Sequence, residues 1–174
     1  MKMSKAIFPA LLLCVVSVVA AQGGGEKRSP YAIENNELKL SDPVRFADGS
    51  DKLSLESGRA LAAVKDFLNE KTYITLLRIE GHTDAGGDAA TDSRQLGERR
   101  ALVVARWLVD EGVDCKRVLP VGLGGTKPIA PNDTAENRRK NQRLAFAFAS
   151  LRGRLIGGMP ADGGGKVAGD PCRK

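Results

Sequence analysis

The run from Tyr73 to Asp110 constrains the fold more than any other part of the 174-residue chain. Tyr73 to Glu80 is short and carries apolar residues on both faces, Ile74 and Leu76, then Leu77 and Ile79, as expected at the centre of a sheet. A polar, Gly-bearing loop comes after Gly81-His82-Thr83-Asp84. Leu96 to Asp110 then repeats apolar residues at helical spacing, with Ala101, Val104, Ala105 and Leu108 as its buried stripe and Gly112 near its C-terminal cap.

The same alternation of periods runs through the neighbouring segments. Leu38-Lys39-Leu40 and Val44-Arg45-Phe46 alternate apolar and polar around Pro43, which predicts one interrupted strand. Ala47 to Asp51 is turn chemistry. Ser54 is placed to cap a helix whose stripe is Ala60, Leu61, Val64, Phe67 and Leu68. Val118 to Val121 reads as a short strand, 122–133 as a Gly/Pro-rich loop, and Thr134 to Lys140 as a short helix. Leu144, Phe146 and Phe148 alternate with Ala145, Ala147 and Ala149, a last strand with one bulky and one small face. The order β-α-β-α-β-(α)-β defines an α/β (α+β) two-layer sandwich, with helices packed on one face of a mixed sheet.

Outside this unit, residues 1–21 read as a cleaved secretory signal. Lys2 and Lys5 precede an apolar run from Ala6 to Ala20, and small residues end at Ala21. Leu13 before Cys14 argues against a lipidation site. Residues 22–36 read as a flexible leader, 37–150 as the domain, and 151–174 as a Gly-rich basic tail without apolar periodicity, disordered unless Cys172 pins it down. The formal charge of +6 falls to +4 without the signal, and the tail accounts for +3 of that. The domain is thus close to neutral and shows no basic stripe with interleaved aromatics, which argues against nucleic acid as a partner. Cys115 and Cys172 remain after processing, an even pair that invites a disulfide in an oxidising compartment.

The chemistry concentrates where the central strand ends. Asp84 lies at the strand's exit and Arg99-Arg100 in the early turns of the helix. A fixed carboxylate facing a fixed guanidinium suits an amino acid's zwitterionic head, the guanidinium taking the ligand carboxylate through two parallel hydrogen bonds. Arg100 stands at the edge of the buried stripe, one turn before Val104, whereas Arg99 shares a face with Val103, Arg106 and Asp110. His82, the single histidine, could be drawn into a metal cluster with Asp84, Asp88 and Asp92, but one histidine with loop acids is a weak zinc set. A loop-fixing histidine bonded to backbone is the plainer reading. No cofactor is called for.

The motifs Phe46-Ala47-Asp48-Gly49-Ser50, Glu80-Gly81-His82-Thr83-Asp84, Leu96-Gly97-Glu98-Arg99-Arg100-Ala101 and Asn141-Gln142-Arg143 resemble those of the peptidoglycan-binding domain shared by OmpA C-terminal regions, Pal lipoproteins and MotB. The resemblance covers about Leu38 to Ala149. It implies a noncatalytic domain that binds the diaminopimelate of the wall stem peptide through Asp84 and Arg100, in an exported, outer-membrane-associated protein of the cell envelope. Thr83, Ser93, Arg143 and Asp48 fall at secondary contact positions. The chain departs from the family's pattern at Ser93, where asparagine is common, and at Gln142 and Ala145, where an arginine and a glutamate are missing. Two other readings remain open at this level. One is an adaptor that uses its tail against an outer-membrane or other envelope protein, and the other is a metal-dependent wall-peptide hydrolase built on His82.

Overall fold

The structure is a computed structural model that describes residues 29–84 and 90–173. The expected signal segment and the centre of the loop after Asp84, Asp88 included, lie outside the described residues. A mixed sheet runs in the order β1 (Tyr31–Glu34), β2 (Glu37–Leu40), β5 (Leu144–Leu151), β3 (Ile74–His82), β4 (Val118–Gly124) and β7 (Lys166–Val167), with β6 (Arg154–Leu155) also pairing with β5. β3 is parallel to β4 and antiparallel to β5. The helices are α1 (Ser57–Glu70), α2 (Ala90–Asp110) and α3 (Ala135–Asn141).

The core lies between α1, α2 and one face of the sheet. Leu61, Val64, Phe67 and Leu68 from α1 meet Val104 and Leu108 from α2, over Leu77 and Ile79 of β3 and Phe146 and Phe148 of β5. Phe67 stacks on Phe148 with ring centroids 5.6 Å apart and meets Tyr31 edge-on at 5.1 Å. Burying one such aromatic side chain contributes about 2–3 kcal/mol.

Several local expectations are corrected. Residues 31–36, read as part of a flexible leader, form β1 and the turn into β2, because Tyr31 can bury its ring against Phe67. The second half of the expected first strand forms no strand. Phe46 makes only an isolated bridge with Leu53, closing a turn held by Ala47 N–H to the Lys52 carbonyl at 2.9 Å. Ser54 does not cap α1, which begins three residues later. Its hydroxyl instead lies 3.3 Å from the Ser57 hydroxyl, and Ser57 Oγ bonds both the N–H and the carbonyl of Arg45. β3 is not apolar on both faces. Leu77, Ile79 and Gly81 face the helices, while Arg78, Glu80 and His82 share the other face in register with Ala147 and Ala145.

That second face is covered by the tail, which is ordered along its described length. β7 adds to the edge of β4, Ile156 N–H donates to the Ala149 carbonyl at 3.1 Å, and Arg78 Nη1 donates to the Ala161 carbonyl at 3.0 Å. Cys115 and Cys172 are joined by a disulfide across a separation of 57 residues. A crosslink over a loop of that length restricts the unfolded chain by about 4 kcal/mol in the chain-entropy account.

The layers meet most closely at Gly81 of β3 and Gly97 of α2. A Cβ built on Gly81 would fall 2.1 Å from the Gly97 carbonyl oxygen, and one on Gly97 would fall 3.3 Å from the Gly81 oxygen. Backbone therefore packs on backbone, and only glycine at position 81 permits that approach. Gly81→Ala must push α2 away and is expected to destabilise the fold by about 2–3 kcal/mol, more than Gly97→Ala, in urea unfolding monitored by circular dichroism. Equal, near-zero effects would show that the two elements are not in contact.

Candidate functional site

The Gly81–Gly97 contact sets the position of the next residues on each element. Two and three residues beyond Gly81 come Thr83 and Asp84, and one turn beyond Gly97 comes Arg100. Thr83 is buried and its N–H donates to the Gly124 carbonyl at 3.0 Å, so the strand's exit is tied to β4.

Arg100 is half-buried and held on two sides. Its Nε donates to the Ser50 carbonyl at 2.8 Å, and its guanidinium carbon lies 4.8 Å from the centroid of the Phe46 ring. Such a cation–π contact is worth about 0.5–1 kcal/mol. With Nε occupied, the two Nη groups have no partner among the described residues, and they form the end of the fork that grips a carboxylate. Burial pushes its pKa below the ordinary arginine value; Asp51 opposes that shift and Arg99 adds to it. Arg99 itself is exposed and pairs with Asp51 at 3.6 Å.

Asp84 and Arg100 make no ion pair with each other among the described residues, which leaves both charges for a third party. Asp84 Oδ1 accepts from Gln142 Nε2 at 3.1 Å. Gln142 is the C-cap of α3, between two anchored neighbours. The fully buried Asn141 exchanges hydrogen bonds with Ile129, Ala130 and Asn132, and the Arg143 carbonyl accepts from His82 N–H at 2.9 Å.

Two adjoining cavities open here. The smaller, of about 180 Å³, is lined by Thr83, Ser93, Leu96, Arg100 and Gln142, with Gly49, His82 and Gly97. The larger, of about 400 Å³, shares His82, Gly97, Arg100 and Gln142 and adds Arg45, Phe46, Asp48, Arg139 and Arg143. Of the residues singled out in the sequence, Thr83, Ser93 and Arg100 thus meet in the first cavity and Asp48, Arg100 and Arg143 in the second. Asp84 lines neither and stands beside both through Gln142. Arg143 forms no ion pair among the described residues. It donates to the carbonyls of Asn141 and Lys127, and burial lowers its pKa against the opposing pull of Glu37 and Glu80.

His82 departs from the loop-fixing role expected of it. Its ring lies in the strand rather than the loop, its side chain is 1% exposed, and Nε2 is 2.9 Å from Glu80 Oε2. Glu80 Oε1 takes Arg78 Nε at 2.6 Å. Burial alone would raise the Glu80 pKa, but the hydrogen bonds from His82 and Arg78 and their charge outweigh it and hold the pKa at about 2. With Glu80 ionised, Nε2 is the donor, and Nδ1 is buried without a partner among the described residues. The charged residues at positions 78, 80 and 82, spaced by two, were the signal for a polar second face. Gln142, Phe46 and the Ser50 carbonyl carried no such signal, since their roles arise only when distant segments meet. Among the described residues, no three His, Cys, Asp or Glu side chains group as metal ligands.

The OmpA family profile matches residues 45–142, more than half of the chain, and the protein belongs to that family. Its members typically bind peptidoglycan and anchor envelope components. The outer-membrane lipoprotein YfiB of Pseudomonas aeruginosa is 35% identical over 113 residues, covering 65% of this chain and 66% of that protein. The peptidoglycan-binding protein ArfA of Mycobacterium bovis is 42% identical over 66 residues, covering 38% of this chain and 20% of that protein. The chain thus spans less than two thirds of the length of either. Among solved structures, the cell wall anchor of the T6SS from Pseudomonas aeruginosa superposes with a TM-score of 0.57 at 25% identity, covering 68% of this chain and 87% of that one. No helix among the described residues is long and apolar enough to cross a membrane.

The Glu80 shift fixes a pH dependence. Because the folded pKa of about 2 lies below the ordinary 4.5, the stabilisation is complete above pH 4.5 and is lost as pH falls toward 2. We expect wild type to lose about 3 kcal/mol across that window in chemical denaturation at stepped pH. Glu80→Gln, which leaves Arg78 buried and unpaired, should be weaker at neutral pH and flatter at acid pH. A wild-type profile as flat as that of the variant would refute the ionised Glu80.

Proposed function

We propose that the protein holds cell-wall peptidoglycan noncovalently through the diaminopimelate of the stem peptide, as a noncatalytic envelope component. The observation that carries this reading is the open end of the Arg100 guanidinium, fixed by Ser50 and Phe46 beside an Asp84 that it does not neutralise. The two Nη groups take the ligand carboxylate and Asp84 takes its ammonium. Thr83 and Ser93 line the smaller cavity with Arg100, and Asp48 and Arg143 line the adjoining larger one. The family's typical binding of peptidoglycan and the names of ArfA and the T6SS anchor support the assignment.

Each charge-assisted contact contributes about 1.5–3 kcal/mol, so one site binds modestly. A polymeric wall presents many copies and lengthens residence without new contacts. Sedimentation with purified diaminopimelate-type wall tests the reading. Wild type is expected in the pellet, with Asp84→Ala and Arg100→Ala each weakened at least about ten-fold. Wild-type-level pelleting of either variant would remove that residue from the site.

An adaptor role is the second reading. It is favoured by the ordered tail, which presents Leu155, Met159 and Val167 about half-exposed. Loss of an envelope-protein partner from a Leu155→Ser/Met159→Ser variant that still pellets with wall would assign a partner to that surface. Retention of every partner by that variant would dismiss it.

A further inference from the structure

The second face of the sheet holds a cavity that wall binding does not use. It has a volume of about 260 Å³ and lies between that face and the tail, and none of Thr83, Asp84, Ser93 or Arg100 lines it. Arg78, Glu80 and His82 form its sheet side with Ala147 and Ala149 of β5, whose small side chains leave the space open. Ile156, Met159 and Pro160 give it an apolar wall from the tail. Lys127 is exposed, so the cavity meets solvent at that end.

The charges along this cavity do not balance. Glu80 spends its charge within the row, Oε1 on Arg78 Nε and Oε2 on His82 Nε2. Glu37, the other acid on the lining, is ion-paired with Lys39. Lys127 and Arg143 have no ion pair among the described residues. Lys127 Nζ reaches only the Gly163 carbonyl, at 3.4 Å, and Arg143 only the carbonyls of Asn141 and Lys127. Arg78 adds a third open donor. It is 7% exposed, its Nε and Nη1 are taken by Glu80 and the Ala161 carbonyl, and its Nη2 has no partner among the described residues. Leaving a buried guanidinium nitrogen without an acceptor costs free energy that a ligand oxygen recovers. Burial also depresses the Arg143 pKa against the pull of Glu37 and Glu80, which places that cation where an added anion gains more than it would in water.

An anion without an apolar part would leave the tail's wall unfilled, and an uncharged apolar molecule would leave the cations unpaired. We propose that the tail-covered cavity binds a small organic carboxylate, its carboxylate set among Lys127, Arg143 and Arg78 Nη2 and its apolar body against Ile156, Met159 and Pro160. The volume suits such a ligand, since sites for drug-sized molecules run to about 300–1,000 Å³. The tail is then one wall of a binding site as well as a cover for the charged row. Neither this site nor wall binding requires the other.

Sodium hexanoate, 1-hexanol and inorganic phosphate separate the contributions of charge and apolar body. Each is titrated into isotope-labelled protein with its disulfide intact, monitored by two-dimensional NMR. Hexanoate is expected to give saturable shifts at the Arg78 Nε–H and at the Ala149, Gly157 and Met159 amides, with Thr83 and Arg100 unmoved. Hexanol and phosphate should each bind at least about ten-fold more weakly, the worth of one charge-assisted contact or of a buried apolar chain. Lys127→Gln should weaken hexanoate about ten-fold and Lys127→Arg should restore most of it. Lys127 is exposed, so both variants leave the core intact. No saturable hexanoate binding, or shifts centred on Thr83 and Arg100, would overturn the site. Hexanol binding as tightly as hexanoate, phosphate doing so, or an unchanged Lys127→Gln affinity would overturn the carboxylate assignment.

Discussion

The backbone contact between Gly81 and Gly97 is the constraint on which the site depends. A strand end and the second turn of a helix meet with no side chain between them, and each then carries a candidate site residue within a few positions. Any residue with a Cβ at Gly81 would require the helix to move by more than an ångström. The same close packing recurs beside it. Gly122 of β4 lies under Glu98 of α2, where a Cβ would sit 2.2 Å from Glu98 Cγ. Glu98 in turn bonds Lys166 of β7 at 2.9 Å, so the helix that carries Arg100 is also tied to the tail.

The sheet has two different faces with two different kinds of support. Toward α1 and α2 it is apolar and held by packing. On the other side, Arg78, Glu80 and His82 form a buried charged row, satisfied partly by each other and partly by the Ala161 carbonyl of the tail. Buried charges of this kind are costly to leave unpaired, so the row and its cover depend on one another. The disulfide to Cys172 holds the end of that cover.

The layer order, the helix stripes and the central strand were readable from period alone, because Leu77 and Ile79 or Val104 and Leu108 report burial directly. The strand's second face was legible in principle at Arg78, Glu80 and His82, but the apolar run of β3 masked it. The ordered tail was hidden because seven glycines and no apolar period resemble disorder, and its structure comes from partners on β4, β5 and Arg78 rather than from its own pattern. For the candidate site, Asp84, Arg100, Thr83 and Ser93 were marked by their motifs. Gln142 stood out only as a departure, and the Phe46 ring and Ser50 carbonyl became relevant only through folding.

A titration of isotope-labelled protein with meso-diaminopimelate, monitored by two-dimensional NMR, tests the central claim most directly. The account predicts saturable shifts at the Thr83 and Asp84 amides, the Arg100 Nε–H and the Gln142 side-chain amide, with little change at the Ala161 to Val167 amides on the tail. Shifts confined to the tail face, or no shifts at Arg100 and Gln142 at concentrations that release the protein from wall, would contradict it.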